Sequence, residues 1–216
     1  MIRVRKDPAV PASLQNNPCT SYNGQDVQKQ LLTDHDEKCY LCEQKTGKSF
    51  QIEHLKPKAE GYFPELKYEW TNLFLSCPYC NGRKPNKLKL LAPAAHNIED
   101  IIEHQIEFSK QKIVFSKSNT DEETTDTIAL LDRLHNGKNG LRDIKAQTFY
   151  KDLQQQILGF MTILTTYQSS PTDENKQAVI DSLSIEKEFL GLKYWLVKEN
   201  AALLNTFIGY MVWNKQ

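Results

Sequence analysis

The sequence has no long apolar run. Its most apolar stretch, "AALLNTFIGYMVW", is broken by Asn205 and Thr206 and falls short of the ~20 residues that a membrane-crossing helix needs. No membrane association is expected. The N-terminal "MIRVRKDPAVPASL" lacks the apolar centre of a secretory signal, so a cytoplasmic chain is expected. No internal repeat and no low-complexity segment occur. Net charge is absent too, since 27 Lys+Arg balance 27 Asp+Glu. Cysteine is scarce, with five in 216 residues, too few and too regularly placed for a disulfide scaffold in a reducing compartment.

What is there suits a soluble globular chain. Hydrophobic content is 39% and charged content 25%. The length allows one domain with a sizeable core, or a small domain with an appendage. The balanced charge is unevenly spread. Residues 38–90 hold ten Lys/Arg and five Asp/Glu, about +5, and the remainder holds seventeen and twenty-two, about −5. "NGRKPNKLK" carries Arg83, Lys84, Lys87 and Lys89 with no acid. Such a patch suits a polyanion such as nucleic acid, or is an ordinary solvated face.

Four of the cysteines form two C-x-x-C pairs, Cys39/Cys42 and Cys77/Cys80, separated by 35 residues (77 − 42). A thioredoxin-like site needs one pair in a βαβ setting, which is lacking here. Two pairs fit one structural Zn²⁺ held by four thiolates. Cys19 reads as a bystander.

Punctuation along the chain suggests its elements. Residues 1–25, with Pro8, Pro11 and Pro18, read as an extended arm. Residues 26–37 suit a short helix. "KSFQIEHLKPK" alternates around Phe50, Ile52 and His54 as a strand does, and Pro57 ends it. "AEGYFPELKYEW" reads as a loop. "NGRKPNKLKLL" can begin a helix that Gly82 and Pro85 keep short or delay, and a helix starting near Asn81 is expected. "IIEHQIEFSKQKIVFSK" suits a β-hairpin. A helix over Thr124–His135, a long helix from Leu141 to Tyr167, one begun near Pro171 and one or two more before Trp213 complete the pattern. His35, His96, His104 and His135 read as surface or turn residues, and Trp70 as core packing. Trp195 and Trp213 suit helix packing or a partner interface, and Asp121, Glu122 and Glu123 a solvated helix start. The fold class expected is α+β: a zinc-pinned unit over 38–92, preceded by an arm and short helix over 1–37. A hairpin and a mostly helical half follow over 93–216, with an expected partner interface.

Between the cysteine pairs lie Glu53-His54 and Asn72, and Asn81 follows Cys80 directly. A neutral imidazole can take a proton from water. A carboxylate and an amide oxygen are hard ligands for Mg²⁺ or Mn²⁺, and Arg83 and Lys84 can hold a phosphate. This set suits phosphodiester hydrolysis. "IEHLKPK", "YEWTNLFLSCPYCNGRK" and "CYLC" together resemble the HNH endonucleases with the ββα-metal fold, in their four-cysteine zinc form, over about residues 38–90. The resemblance implies that His54 is the general base, that Glu53 and Asn81 hold the catalytic Mg²⁺ or Mn²⁺, and that Asn72 braces the loop and orients the histidine. In the last position the family often has His where this chain has Asn81.

More narrowly, the arm, the hairpin and "TTDTIALLDRLH…LRD" resemble the HNH subunit of Septu anti-phage systems, a subunit type that also accompanies some retrons. That resemblance implies an ABC/SMC-type ATPase partner and, in the retron setting, a reverse transcriptase with its msDNA. It leaves DNA as the first substrate expected and tRNA as the second. Two rivals stay open: a non-catalytic zinc module binding nucleic acid or protein, and a stand-alone restriction endonuclease.

Overall fold

The computed structural model describes residues 1–117 and 120–211. Helix α1 spans Gln25–Asp34, strand β1 Gln51–His54, strand β2 Leu73–Ser76 and the one-turn helix α2 Pro78–Asn81. Helix α3, Ile98–Ile101, leads into strands β3, Ile102–Glu107, and β4, Lys112–Lys117. The helical half comprises α4, Glu122–Asn136; α5, Ile144–Ser169; α6, Asp173–Ser182; α7, Leu190–Lys198; and α8, Ala201–Phe207. Among the described residues the chain is α+β, with two small antiparallel sheets and a helical C-terminal half. Among the described residues no helix is long and apolar enough to cross a membrane. Trp213 lies outside the described residues.

In β1–β2, Glu53 stands opposite Phe74 and His54 opposite Leu73. Strand β2 is apolar on both faces, and both are buried. Leu73 and Leu75 pack with Val27 and Leu31 of α1 and with Trp70. Phe74 points the other way, into the core that contains Cys39, Tyr40 and Cys80. Each such buried side chain is worth about 1.5–3 kcal/mol, so β2 holds His54's strand between two hydrophobic layers. Each C-x-x-C pair forms a knuckle, Cys39–Cys42 the first and Cys77–Cys80 the second, and helix α2 starts rather than ends at the second. Cys77 is its N-cap, Pro78 takes the first position, and the turn finishes at Asn81 before Gly82. Pro85 lacks the N–H that a continuing helix would need. Asn81 therefore closes a helix instead of opening one.

The β3–β4 hairpin pairs Ile102 with Lys117 through to Glu107 with Lys112, turning at Gln111 with φ +51°. Helix α5 has 26 residues, about 39 Å at 1.5 Å per residue. Its Phe149, Tyr150, Leu153 and Ile157 belong to the core shared with the knuckles, whereas Phe160 and Leu164 reach a second core with α6, α7 and α8. Pro171 precedes the N-cap, Thr172, of α6. The arm is not free. Arg3 N–H donates to Glu99 (2.8 Å) and Val4 N–H to the Pro93 carbonyl (2.8 Å). Buried Glu43 accepts from the Met1 ammonium (2.7 Å) and from Gly191 N–H (3.0 Å), so one carboxylate joins the arm, the first knuckle and α7.

Three histidines read as surface residues are buried. His35 accepts from Leu75 N–H through Nε2 (3.3 Å), and its Nδ1 faces the Leu31 carbonyl (2.9 Å). His135 bonds the Leu131 carbonyl (2.8 Å) between Phe115 and Phe149. His104 packs edge-on against Phe115, with no hydrogen-bond partner for either ring nitrogen among the described residues. The local sequence hides this because burial comes from elements distant in the chain. His96 is exposed, as expected. Burial lowers the pKa of His35 and of His104 to about 3 and that of His135 to about 4.

Below pH 6.5 the unfolded chain therefore binds protons at these three sites and the folded chain does not. Stability is complete above that pH and falls towards pH 4, by about 1.4 kcal/mol per pH unit per histidine. Glu99, which burial raises to about 7, is already protonated when folded and offsets one of the three, while His54, lowered by burial to about 4, adds a further one. The melting temperature should drop by roughly 10 °C between pH 6.5 and 5. Equal melting temperatures in that window would show that these histidines are not buried neutral.

Candidate active site and metal centre

The Sγ atoms of Cys39, Cys42, Cys77 and Cys80 all lie within 4.8 Å of one another, and Cys42 and Cys77 are 3.9 Å apart. A tetrahedron with Zn–S bonds of about 2.3 Å has edges of about 3.8 Å, so the cluster is compatible with zinc. All four thiols are free of disulfides, and Cys19 lies outside the group. Burial opposes a thiolate at Cys39, but hydrogen bonds from the other three cysteines pull its pKa well down. Its neighbours Cys42 and Cys80 are pushed up. A divalent cation would allow all four sulfurs to ionise.

His54 is the last residue of β1 and only 4% exposed. Its Nε2 lies 3.0 Å from the Lys67 carbonyl. A carbonyl only accepts, so that nitrogen carries the proton and the other keeps its lone pair. Burial lowers the pKa to about 4 against the opposing effect of the Lys67 carbonyl, with help from the charges of Lys58, Lys84 and Lys67. The ring is neutral at pH 7. Asn72 fixes the loop that presents this carbonyl. Its Oδ1 accepts from Lys56 N–H (2.7 Å), and its Nδ2 donates to the carbonyls of Lys56 (2.9 Å) and Leu66 (3.2 Å).

Glu53 forms an ion pair with Lys84 (2.9 Å), and the same ammonium donates to the His54 carbonyl (2.9 Å). Asn81 donates from Nδ2 to Gln51 Oε1 (2.6 Å). Gln51 and Glu53 alternate onto one face of β1, so this bond brings the end of α2 to the Glu53 side of the strand. The donor set there, a carboxylate and an amide oxygen, fits a hard divalent cation in its chemistry. Arg83 is drawn elsewhere. It pairs with Asp143, the N-cap of α5, and its guanidinium lies 4.0 Å from the Tyr79 ring centroid.

Two residues beside His54 were not singled out from the sequence. Tyr22, on the arm, meets its ring edge-on at 4.7 Å, and Lys58 lies 3.8 Å from the Tyr22 ring centroid while also bonding its hydroxyl. No local pattern announces a contact across 32 residues (54 − 22). Gln51 was not singled out either, although its two-residue spacing from Glu53 puts both on one face of β1.

The structure thus gives a neutral, oriented imidazole at the end of β1, a carboxylate on the neighbouring residue with the Asn81 amide brought to its side of the strand, and a thiol tetrad buried at Cys39, Cys42 and Cys80 and half-buried at Cys77. Comparison with curated proteins found no match. The family model for HNH endonuclease matches residues 39–87, which contain all four cysteines and Glu53, His54, Asn72 and Asn81. At family level the match supports metal-dependent cleavage of nucleic acid. Residues 39–87 are similar to the HNH endonuclease family, and the four-cysteine cluster lies inside the matched stretch.

Proposed function

We propose that this chain is a metal-dependent HNH endonuclease that hydrolyses phosphodiester bonds, and the nuclease effector of a bacterial anti-phage system of Septu or retron type. The observation that carries the nuclease reading is the Asn72 clamp. It holds the loop whose Lys67 carbonyl sets the His54 tautomer, leaving the second ring nitrogen to accept a proton from water. Glu53 and Asn81 hold Mg²⁺ or Mn²⁺, which when bound supplies charge stabilisation at the phosphate oxygens. Cys39, Cys42, Cys77 and Cys80 hold Zn²⁺ and keep β1 against α2. Arg83 is better placed than Lys84 to take a phosphate. Its pair with Asp143 is solvent-exposed on the acidic side and such pairs cost only ~0–1 kcal/mol to open, whereas Lys84 is nearly buried against Glu53.

DNA is the first substrate proposed and tRNA the second. The partner is an ABC/SMC-type ATPase, joined in a retron setting by a reverse transcriptase and its msDNA. Support for a docking face comes from Leu141 and Ile144, 78% and 87% exposed ahead of and at the start of α5. The helical half is also net acidic, with 13 Lys/Arg against 17 Asp/Glu over residues 91–216, and so poorly suited to a phosphate backbone.

One experiment tests the whole reading. The chain is purified alone and with the adjacent ATPase, and both preparations are assayed on plasmid DNA and tRNA over a Mg²⁺ and Mn²⁺ series. Cleavage should need the metal. Glu53→Ala and Asn81→Ala should raise the metal concentration for half-maximal activity by about 10-fold or more, the usual scale for a lost ligand or its support, with zinc content unchanged. The complex should elute as one species, and Ile144→Asp should weaken it. A metal dependence identical to wild type would reject the ligand roles. Separate elution with full cleavage by the chain alone would reject the partner.

A further inference from the structure

Beside the site runs an open groove of about 460 Å³, which the reading above does not use. One wall is the β1–β2 loop, with Lys56, Tyr62 and Phe63; the other is the segment after α2, with Lys87 and Lys89. The groove starts two residues after His54. It continues from the stretch that follows Lys84, whose ammonium bonds the His54 carbonyl.

Tyr62 and Phe63, adjacent aromatics, are 45% and 38% exposed. Their backbone is held in place. Gly61 takes φ +82°, Tyr62 N–H donates to the Ala59 carbonyl (3.0 Å), and Phe63 N–H to the Pro57 carbonyl (3.0 Å). The Lys56 ammonium lies 5.6 Å from the Phe63 ring centroid. Three lysines line the groove against one acid, Glu123. Lys89 is paired with Glu122. Lys56 and Lys87 are in no ion pair among the described residues.

We propose that this groove is a platform for unpaired nucleotides: Tyr62 and Phe63 stack on exposed base faces while Lys56 and Lys87 neutralise the flanking phosphates. The proposal rests on the nuclease reading and names its substrate class, a single-stranded segment next to the scissile bond. Exposed aromatic rings among cations recognise single strands because every unpaired base offers a face. In a duplex those faces are covered by neighbouring bases, which leaves only the phosphates for the lysines. A protein partner is a poorer fit, since protein interfaces exclude lysine from their aromatic centres.

The test is fluorescence anisotropy with His54→Ala protein, which prevents cleavage, in buffer without added Mg²⁺. The probes are oligo(dT) and oligo(rU) of about 16 nucleotides and a blunt DNA duplex of the same length. At least one single strand should bind more tightly than the duplex, and comparing the two shows which sugar is preferred. Adding Tyr62→Ala or Phe63→Ala should weaken single-strand binding by roughly 5–150-fold per lost stack, without changing duplex binding, zinc content or melting temperature. Tyr62→Phe should retain the affinity. Equal affinity for duplex and single strand, or no effect of either alanine, would overturn the platform. Failure of the nuclease reading looks different: the wild-type chain, alone and together with the adjacent ATPase, then cleaves nothing with Mg²⁺ or Mn²⁺, whatever the binding preference.

Discussion

His54→Ala is expected to lower cleavage by about 10²–10⁴-fold, the scale on which a positioned general base contributes. The imidazole is neutral at pH 7, because burial holds its pKa at about 4. One nitrogen is committed to the Lys67 carbonyl, so one lone pair remains. Among the described residues, none of the side chains that touch its ring offers the same chemistry. Tyr22 meets it by a ring edge, and the Lys58 and Lys84 ammoniums are donors. Since His54 is buried, alanine also leaves a small cavity and orphans the Lys67 carbonyl. His54→Gln separates the two effects: its amide can still donate to that carbonyl, yet it is no base at neutral pH. Both variants should keep their zinc and their circular dichroism spectrum and both should be inactive. A wild-type rate in either would mean that His54 is not the catalytic base and that the HNH reading of this site is wrong.

Cys77→Ser is expected to give insoluble or unfolded protein rather than a soluble, inactive enzyme. Structural zinc contributes about 10–16 kcal/mol in small peptides, against a total stability of about 5–15 kcal/mol for a typical domain. Cys39, Cys42 and Cys80 are part of the main core, and Cys77 packs against it. Its sulfur also caps α2 by accepting Cys80 N–H (3.4 Å). Without the metal, four inward-facing thiols would sit together with no cation to take their charge. Elemental analysis should find about one zinc per chain, and chelation should unfold the wild type. Normal solubility and helicity in a zinc-free preparation would reject a structural role for the tetrad.

Much of this was written locally. Two C-x-x-C pairs imply a metal site because the ligand spacing is itself the signal, and the four sulfurs do converge. The alternation around Ile52 and His54 marked β1, and the apolar runs flanking "SKQK" marked the β3–β4 hairpin. The long helix read from Leu141 to Tyr167 is α5, whose buried Phe149, Leu153, Ile157 and Phe160 recur every three or four residues. These are periodicities of one segment, and a segment carries them whatever it packs against.

The tertiary structure decided what depends on two segments at once. It buried His35, His104 and His135, brought Tyr22 onto His54, and turned Arg83 to Asp143 and Lys84 to Glu53. It also drew the arm, with its prolines and few apolar residues, into the core through Met1, Ile2 and Val4. Burial and ion pairing are properties of a shared environment. A histidine four residues after a leucine on a helix reads the same whether its face meets water or Phe115, and only the hairpin packed against α4 makes it the latter.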